Sequence, residues 1–382
     1  MRNVVLACAL AAAFGASAVG TSNLSAQGLA PTSAQSNQLP LAAYAWPVSG
    51  LLDNFGPDCP QSSRWLRKAV LDAIDYLSTP QMSIGYIAPL DPNVGPFISI
   101  LSYARNWALL DKVANEPLPA PGDLVVVKGY SSAWAVKGSN GTKVFFDHSD
   151  TPLHPNGWVP NLPDGITTQQ LDLAAVQADI AFITHLHSDH MSPYFILQMI
   201  TNNKPVIVTQ EIKDSAVASG AWYATYLTVP QSGVTYNFGN VSFVAYPGIQ
   251  YMGFLDPANT IPDPSNPYNV QNNAFLVSID GVTVAHFGDN NDPGIVPWVA
   301  QMAAQGWTPS VVLQIASFGA QIVSYWAPEM NFRSHYLEFM HLPGGGFHQL
   351  EETWFGPDVN DMRLFWGESL TVNDFITNVV GL

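Results

Sequence analysis

The run Thr184-His185-Leu186-His187-Ser188-Asp189-His190 gathers three of the chain's nine histidines and an aspartate within six residues. Imidazole and carboxylate at this density form a donor set for Zn²⁺ or a similar borderline divalent ion. The flanking sequence gives the group a place. Residues 178–183 are apolar and partly β-branched, and predict a buried strand. Ser192 then stands as an N-cap and Pro193 as the first residue of a helix that runs to about Ile200. The cluster therefore falls on a tight strand-to-helix loop at the carboxyl end of a strand, where open α/β sheets place their sites.

The elements around this loop are mostly strands. Residues 124–128, 132–137 and 143–146 read as three of them, the last two flanking the hairpin signal Ser139-Asn140-Gly141, and Asp147 ends the third. A helix over 168–176 leads into the strand before the cluster. Residues 204–210 read as a strand, 234–246 as a hairpin around Gly239-Asn240, and 274–279 with 282–286 as a hairpin around Asp280-Gly281. The last of these runs into Phe287-Gly288-Asp289. A helix over 296–305 and a strand over 310–315 follow. Upstream, apolar stripes at helical spacing predict helices over 63–77 and 97–114, and such stripes are core before they are anything else. These helices either cap the site or pack on the outside. Pro117 to Gly122 breaks the chain before the strands begin.

The chain has 382 residues, a formal charge of −16 and only 11% charged residues. The acidic balance disfavours nucleic acid and anionic membrane surfaces as partners, and a small-molecule substrate is expected instead. Arg2 followed by the apolar run 4–14, with small-residue cleavage sites at Ala16-Ser17-Ala18 and Leu24-Ser25-Ala26, reads as a cleaved secretory signal over 1–26. The run is too short for a membrane span, so the expected location is periplasmic or secreted. Residues 27–45, rich in Ser, Gln, Ala and Pro, read as a flexible leader, 46–122 as a helical extension and 123–382 as the main domain. Cys8 leaves with the signal, so Cys59 has no intramolecular disulfide partner.

From Asp123 to about Leu350 the chain resembles the metallo-β-lactamase-fold superfamily of metal-dependent hydrolases. The resemblance rests on Asp147, the cluster His185-x-His187-x-Asp189-His190, Gly288-Asp289 and Ser334-His335-Tyr336, in that order. Residues 273–289 look most like the branch containing ascorbate-phosphate lactonases. The resemblance implies an αββα sandwich and two divalent ions, zinc first with manganese or iron as alternatives. His185 and His187 would hold one ion, Asp189, His190 and His335 the other, and Asp289 would bridge them. Asp147 would support the histidine loop, and Asp189 and Asp289 would take part in catalysis. The implied chemistry is attack of an activated water on a small ester, lactone or phosphoester. The chain has no Gly-x-Ser-x-Gly nucleophile motif to suggest another route. A β-lactamase is disfavoured by the bridging Asp289, and a flavodiiron protein by His187, where that branch carries an acidic ligand.

One departure stands out. The superfamily supplies a further histidine to the first ion, yet this chain has none between His190 and His286. Ile249 or Gln250 occupies the equivalent stretch, and the Gln250 carbonyl is a candidate replacement. A weak first site, or rescue by His286, His148 or His341, are the other solutions. A single-metal or non-catalytic binding protein of the same fold is the competing expectation.

Overall fold

Strand faces follow from alternation in the sequence. In Leu124–Lys128 (β1), Leu124 and Val126 point one way and Val125 and Val127 the other, and every residue is buried. A strand buried on both faces must lie between two layers. The computed structural model describes residues 45–54, 94–149, 166–313, 319–332 and 361–372, apart from 131, 254, 256–260, 314–318, 327, 363, 365 and 366, together with 43, 56, 57, 67, 70 and 71. The expected signal, most of the expected 27–45 leader and most of the expected 63–77 helix lie outside them.

Among the described residues, one sheet has the order β13-β1-β2-β3-β4-β5. Its members are β1, Trp134–Gly138 (β2), Lys143–Phe146 (β3), Ile180–Phe182 (β4), Val206–Ile207 (β5) and Ser369–Thr371 (β13). β13, β1, β2 and β3 are antiparallel neighbours, and β3, β4 and β5 are parallel. The second sheet has the order β12-β11-β10-β9-β8-β7-β6. It comprises Tyr236–Phe238 (β6), Val241–Gln250 (β7), Val270–Ile279 (β8), Val282–His286 (β9), Val311–Leu313 (β10), Met330–Phe332 (β11) and Asp361–Met362 (β12).

Three apolar layers hold the sheets and helices together. Between the sheets, Leu124, Val126, Phe146 and Phe182 meet Phe243, Phe275, Val284 and Leu313. On the outer face of the first sheet, Val125, Val127, Phe145 and Ala181 pack against helices Ala45–Asn54 (α1), Val94–Asn115 (α2), Thr168–Gln177 (α3), Pro193–Thr201 (α4) and Gln210–Ala218 (α5). On the outer face of the second, Val244, Leu276, Ala285 and Val312 pack against Ile295–Ala304 (α6) and Gly319–Trp326 (α7). The result is the αββα sandwich expected from the sequence.

The described part of the N-terminal extension forms an outer layer on the first sheet. α1 and α2 are joined by the buried Arg105, whose Nη1 donates to the Ser49 carbonyl at 3.1 Å and the Asp53 carboxylate at 2.6 Å. Arg67 and Glu368, both buried, form an ion pair that ties the extension to the residue before β13.

Several boundaries differ from the sequence expectation. The strand expected over 204–210 is only Val206–Ile207, because Thr209 caps α5 by accepting from the Ile212 amide at 3.2 Å. β7 and β8 reach further than expected, to Gln250 and back to Val270, through the pairing of 247–250 with 270–273. α1 begins at Ala45, inside the tail of the expected leader.

Candidate metal centre

The carboxyl ends of four strands meet at one edge of the sandwich. β3 and β4 are parallel, so Asp147 and the cluster emerge side by side. β7 and β9 are each antiparallel to β8 and hence run the same way, which brings Gln250 and the 287–289 turn to one edge. The Asn273 amide donates to the Thr184 carbonyl at 2.9 Å and joins the sheets there. After the cluster, Ser192 accepts from the Phe195 amide at 3.1 Å and Pro193 opens α4, as the sequence indicates.

Asp147 lies under the cluster, fully buried, with φ +48°. Its Oδ1 accepts from the Thr184 amide at 2.7 Å, and its Oδ2 accepts from Thr184 Oγ1 at 2.7 Å, His190 Nδ1 at 2.9 Å and His286 Nε2 at 2.7 Å. Burial alone would raise its pKa, but the charges and hydrogen bonds of His286 and His190 hold it well below the usual carboxylate range. Thr184 gives its one hydroxyl proton to Asp147 and so accepts from His185 Nδ1, 3.1 Å away. The Nδ1 atoms of His185 and His190 are thus both occupied from below. Their Nε2 atoms face Asp289, and the partner of one ring nitrogen fixes what the other can do.

Asp289 stands between the two histidines. Its Oδ2 is 3.8 Å from His185 Nε2 and its Oδ1 is 3.5 Å from His190 Nε2. His187 Nδ1 is 3.1 Å from His185 Nε2, and an Asp189 oxygen is 3.6 Å from His190 Nε2. One donor atom from each of His185, His187 and Asp289 falls within 4.8 Å of the others. Two nitrogens on one tetrahedral ion, each ~2.0–2.1 Å from it, would be about 3.3 Å apart. The spacing and chemistry of these donors fit a divalent cation, and the buried Gln250 Oε1, which no hydrogen-bond donor meets, adds an acceptor that a cation would satisfy.

Electrostatics points the same way. His190 has its pKa pushed up to about 10: burial opposes protonation, but Asp289, Asp189 and Asp147 together outweigh it. His185 is held well below its ordinary value by burial and by His190, whose ring centroid is 3.9 Å away. Three carboxylates around the buried histidines draw positive charge into the cluster.

No family model matches the chain, and no curated protein matches it. Solved structures do. About two thirds of the chain is similar to the metallo-β-lactamase-fold protein YhfI from Bacillus subtilis, at 10% identity over 65% of this chain and 99% of that one, with a TM-score of 0.40. An isothiocyanate hydrolase from Delia radicum gut bacteria matches at 12% identity over 64% and 98%, with a TM-score of 0.44. Zn²⁺-bound PqqB from Methylobacterium extorquens matches at 9% over 62% and 86%, with a TM-score of 0.36.

The structure brings together Asp147, His185, His187, Asp189, His190, Asp289 and Gln250, whose Nε2 donates to Asp289 Oδ2 at 2.9 Å. His335 and His341 lie outside the described residues. His286 bonds Asp147 rather than facing Asp289, and His148 packs its ring against Phe145 and Phe195, so neither takes the place of the absent histidine. Asn272 and Asn290 belong to no motif in the sequence. Asn272 Nδ2 donates to the Phe287 carbonyl at 3.0 Å and Asn290 Nδ2 to the Asn272 carbonyl at 2.8 Å, which fixes the turn that carries Asp289. For Asn272 the signal was the run of amides Gln271-Asn272-Asn273 at the head of an otherwise apolar strand.

Proposed function

We propose that this chain is a metal-dependent hydrolase of a small ester, lactone or phosphoester, the lactone and phosphoester following the branch that residues 273–289 resemble. The observation that carries the proposal is the division of the Asp289 carboxylate, one oxygen toward His185 and the other toward His190. That is the arrangement a bridging ligand needs. His185, His187, Asp289 and Gln250 would hold one divalent ion, and Asp189, His190, Asp289 and His335 a second. Bound there, such ions lower the pKa of water and polarise the bond under attack. The chain's own residues do the positioning. Asp147 and Thr184 fix the ring orientations of His190 and His185 from the buried side. His187, Asp189 and Asp289 are partly exposed, so a small substrate can reach them. The N-terminal signal features support a periplasmic or secreted location, and a mature N-terminus at residue 19 or 27 after export tests it.

The test is a panel of lactone, ester and phosphodiester substrates with metal-loaded protein, read beside Asp289→Ala. Turnover should fall to background in the variant while its circular dichroism is unchanged. Equal turnover in both proteins removes Asp289 from the mechanism. The Gln250–Asp289 hydrogen bond favours a second reading, a protein that keeps one ion and binds without turnover. Metal analysis after mild purification separates the two: two equivalents support the hydrolase, one supports the binding protein, and none, with no stability lost in chelator, sinks both.

A further inference from the structure

Gln250 ends β7. Its Nε2 lies 2.9 Å from Asp289 Oδ2, the same oxygen that lies 3.8 Å from His185 Nε2. Its Oε1 is buried and meets no donor. A primary amide normally satisfies both ends when buried. Here only the Nε2 end is satisfied. Rotation about the Cγ–Cδ bond exchanges Oε1 and Nε2. With no cation, that rotation would set an amide oxygen against a carboxylate oxygen, which is repulsive. With a cation among His185, His187 and Asp289, the preference reverses: the amide oxygen becomes the favourable face.

Resting on the hydrolase reading above, we infer that Gln250 is a conditional ligand of the first ion, its amide turning from donor toward Asp289 to oxygen donor toward the cation as the ion binds. The consequence is selectivity. A site of two imidazoles, one carboxylate and one amide oxygen is harder than one of three imidazoles and a carboxylate. Carbonyl and carboxylate oxygens suit Mn²⁺, whereas imidazole favours Zn²⁺. The first site therefore discriminates less strongly for Zn²⁺ over Mn²⁺ than a three-histidine site would, and it empties first in chelator.

The experiment measures Zn²⁺ and Mn²⁺ affinity of the full chain by calorimetry, with elemental analysis, in wild type, Gln250→His and Gln250→Glu. Gln250→His should raise the ratio of Zn²⁺ to Mn²⁺ affinity at the weaker site about tenfold. Gln250→Glu keeps an oxygen and loses the donor, so it should hold or raise affinity at that site while lowering the melting temperature of the chelated protein. If Gln250 only donates to Asp289 in the bound state, the ratio in Gln250→His stays at the wild-type value and Gln250→Glu weakens binding. Either result overturns this inference and leaves the proposed function standing. A wild-type chain that binds neither ion overturns both.

Discussion

The carboxylate of Asp147 accepts from Thr184, His190 and His286 without meeting solvent. Removing it strands these donors in the interior. Asp147→Ala should cost about 3–5 kcal/mol in urea unfolding, and metal affinity should fall about 10–100-fold as His190 loses its orientation. A variant within about 0.5 kcal/mol of wild type would show that the interactions are incidental. The pH dependence of the chelated protein follows from the same group. His190 moves from 6.5 to about 10 on folding. Its contribution to stability is full below pH 6.5 and is lost as pH rises through about 10. Asp147 is shifted downward, so its contribution is present above 3.8 and lost only in stronger acid. Chelated protein should therefore lose urea resistance between pH 6.5 and about 10. Metal-loaded protein should lose less, since ion binding needs neutral imidazole and grows tighter as pH rises. A flat profile for chelated protein would contradict the assignment.

At the scale of elements, the turn between β9 and α6 delivers Asp289, and Gly288 makes that turn possible. Its φ is +53°, and a Cβ there would meet Thr184 Oγ1 at 2.5 Å and Asn272 Oδ1 at 2.8 Å. Gly288→Ala should destabilise by about 1–3 kcal/mol and release bound metal at chelator concentrations that wild type survives. A crystal structure of the variant with Asp289 unmoved would refute the second half. The strand–loop–helix unit from β4 to α4 was legible because cap, first-turn proline and apolar stretch all agree on it. The far part of β7 was not. Tyr246-Pro-Gly-Ile-Gln250 carries no clean alternation, and its strand character comes from pairing with Gln271, Asn272 and Asn273. The short strands β12 and β13, of two and three residues, have too little periodicity to be seen. The missing histidine was visible in the sequence, but that Gln250 reaches Asp289 was not, because it depends on the register of β7 against β8.

At the scale of the molecule, the sandwich was legible from the order of the motifs, whereas the seat of the N-terminal extension was not. Its placement rests on contacts between residues far apart in sequence, the apolar packing of α1 and α2 on the first sheet and the Arg67–Glu368 ion pair among them. Glu368→Ala leaves Arg67 buried beside an empty position and should cost about 3–5 kcal/mol. Limited proteolysis would then cut the extension before the sandwich. Cleavage in the same order and at the same rate as wild type would show that the pair does not anchor it. β13 adds a consequence for how the chain can be made. It closes the first sheet against β1, pairing Val125 with Thr371 and Val127 with Ser369. Until those residues leave the ribosome, the strand that begins the first sheet is an open edge. The sheet carrying the histidines cannot close until the second sheet's strands, through β12, have been synthesised. Chain growth and closure of the fold are therefore separated in time, because the first sheet opens with β1 and closes only with β13.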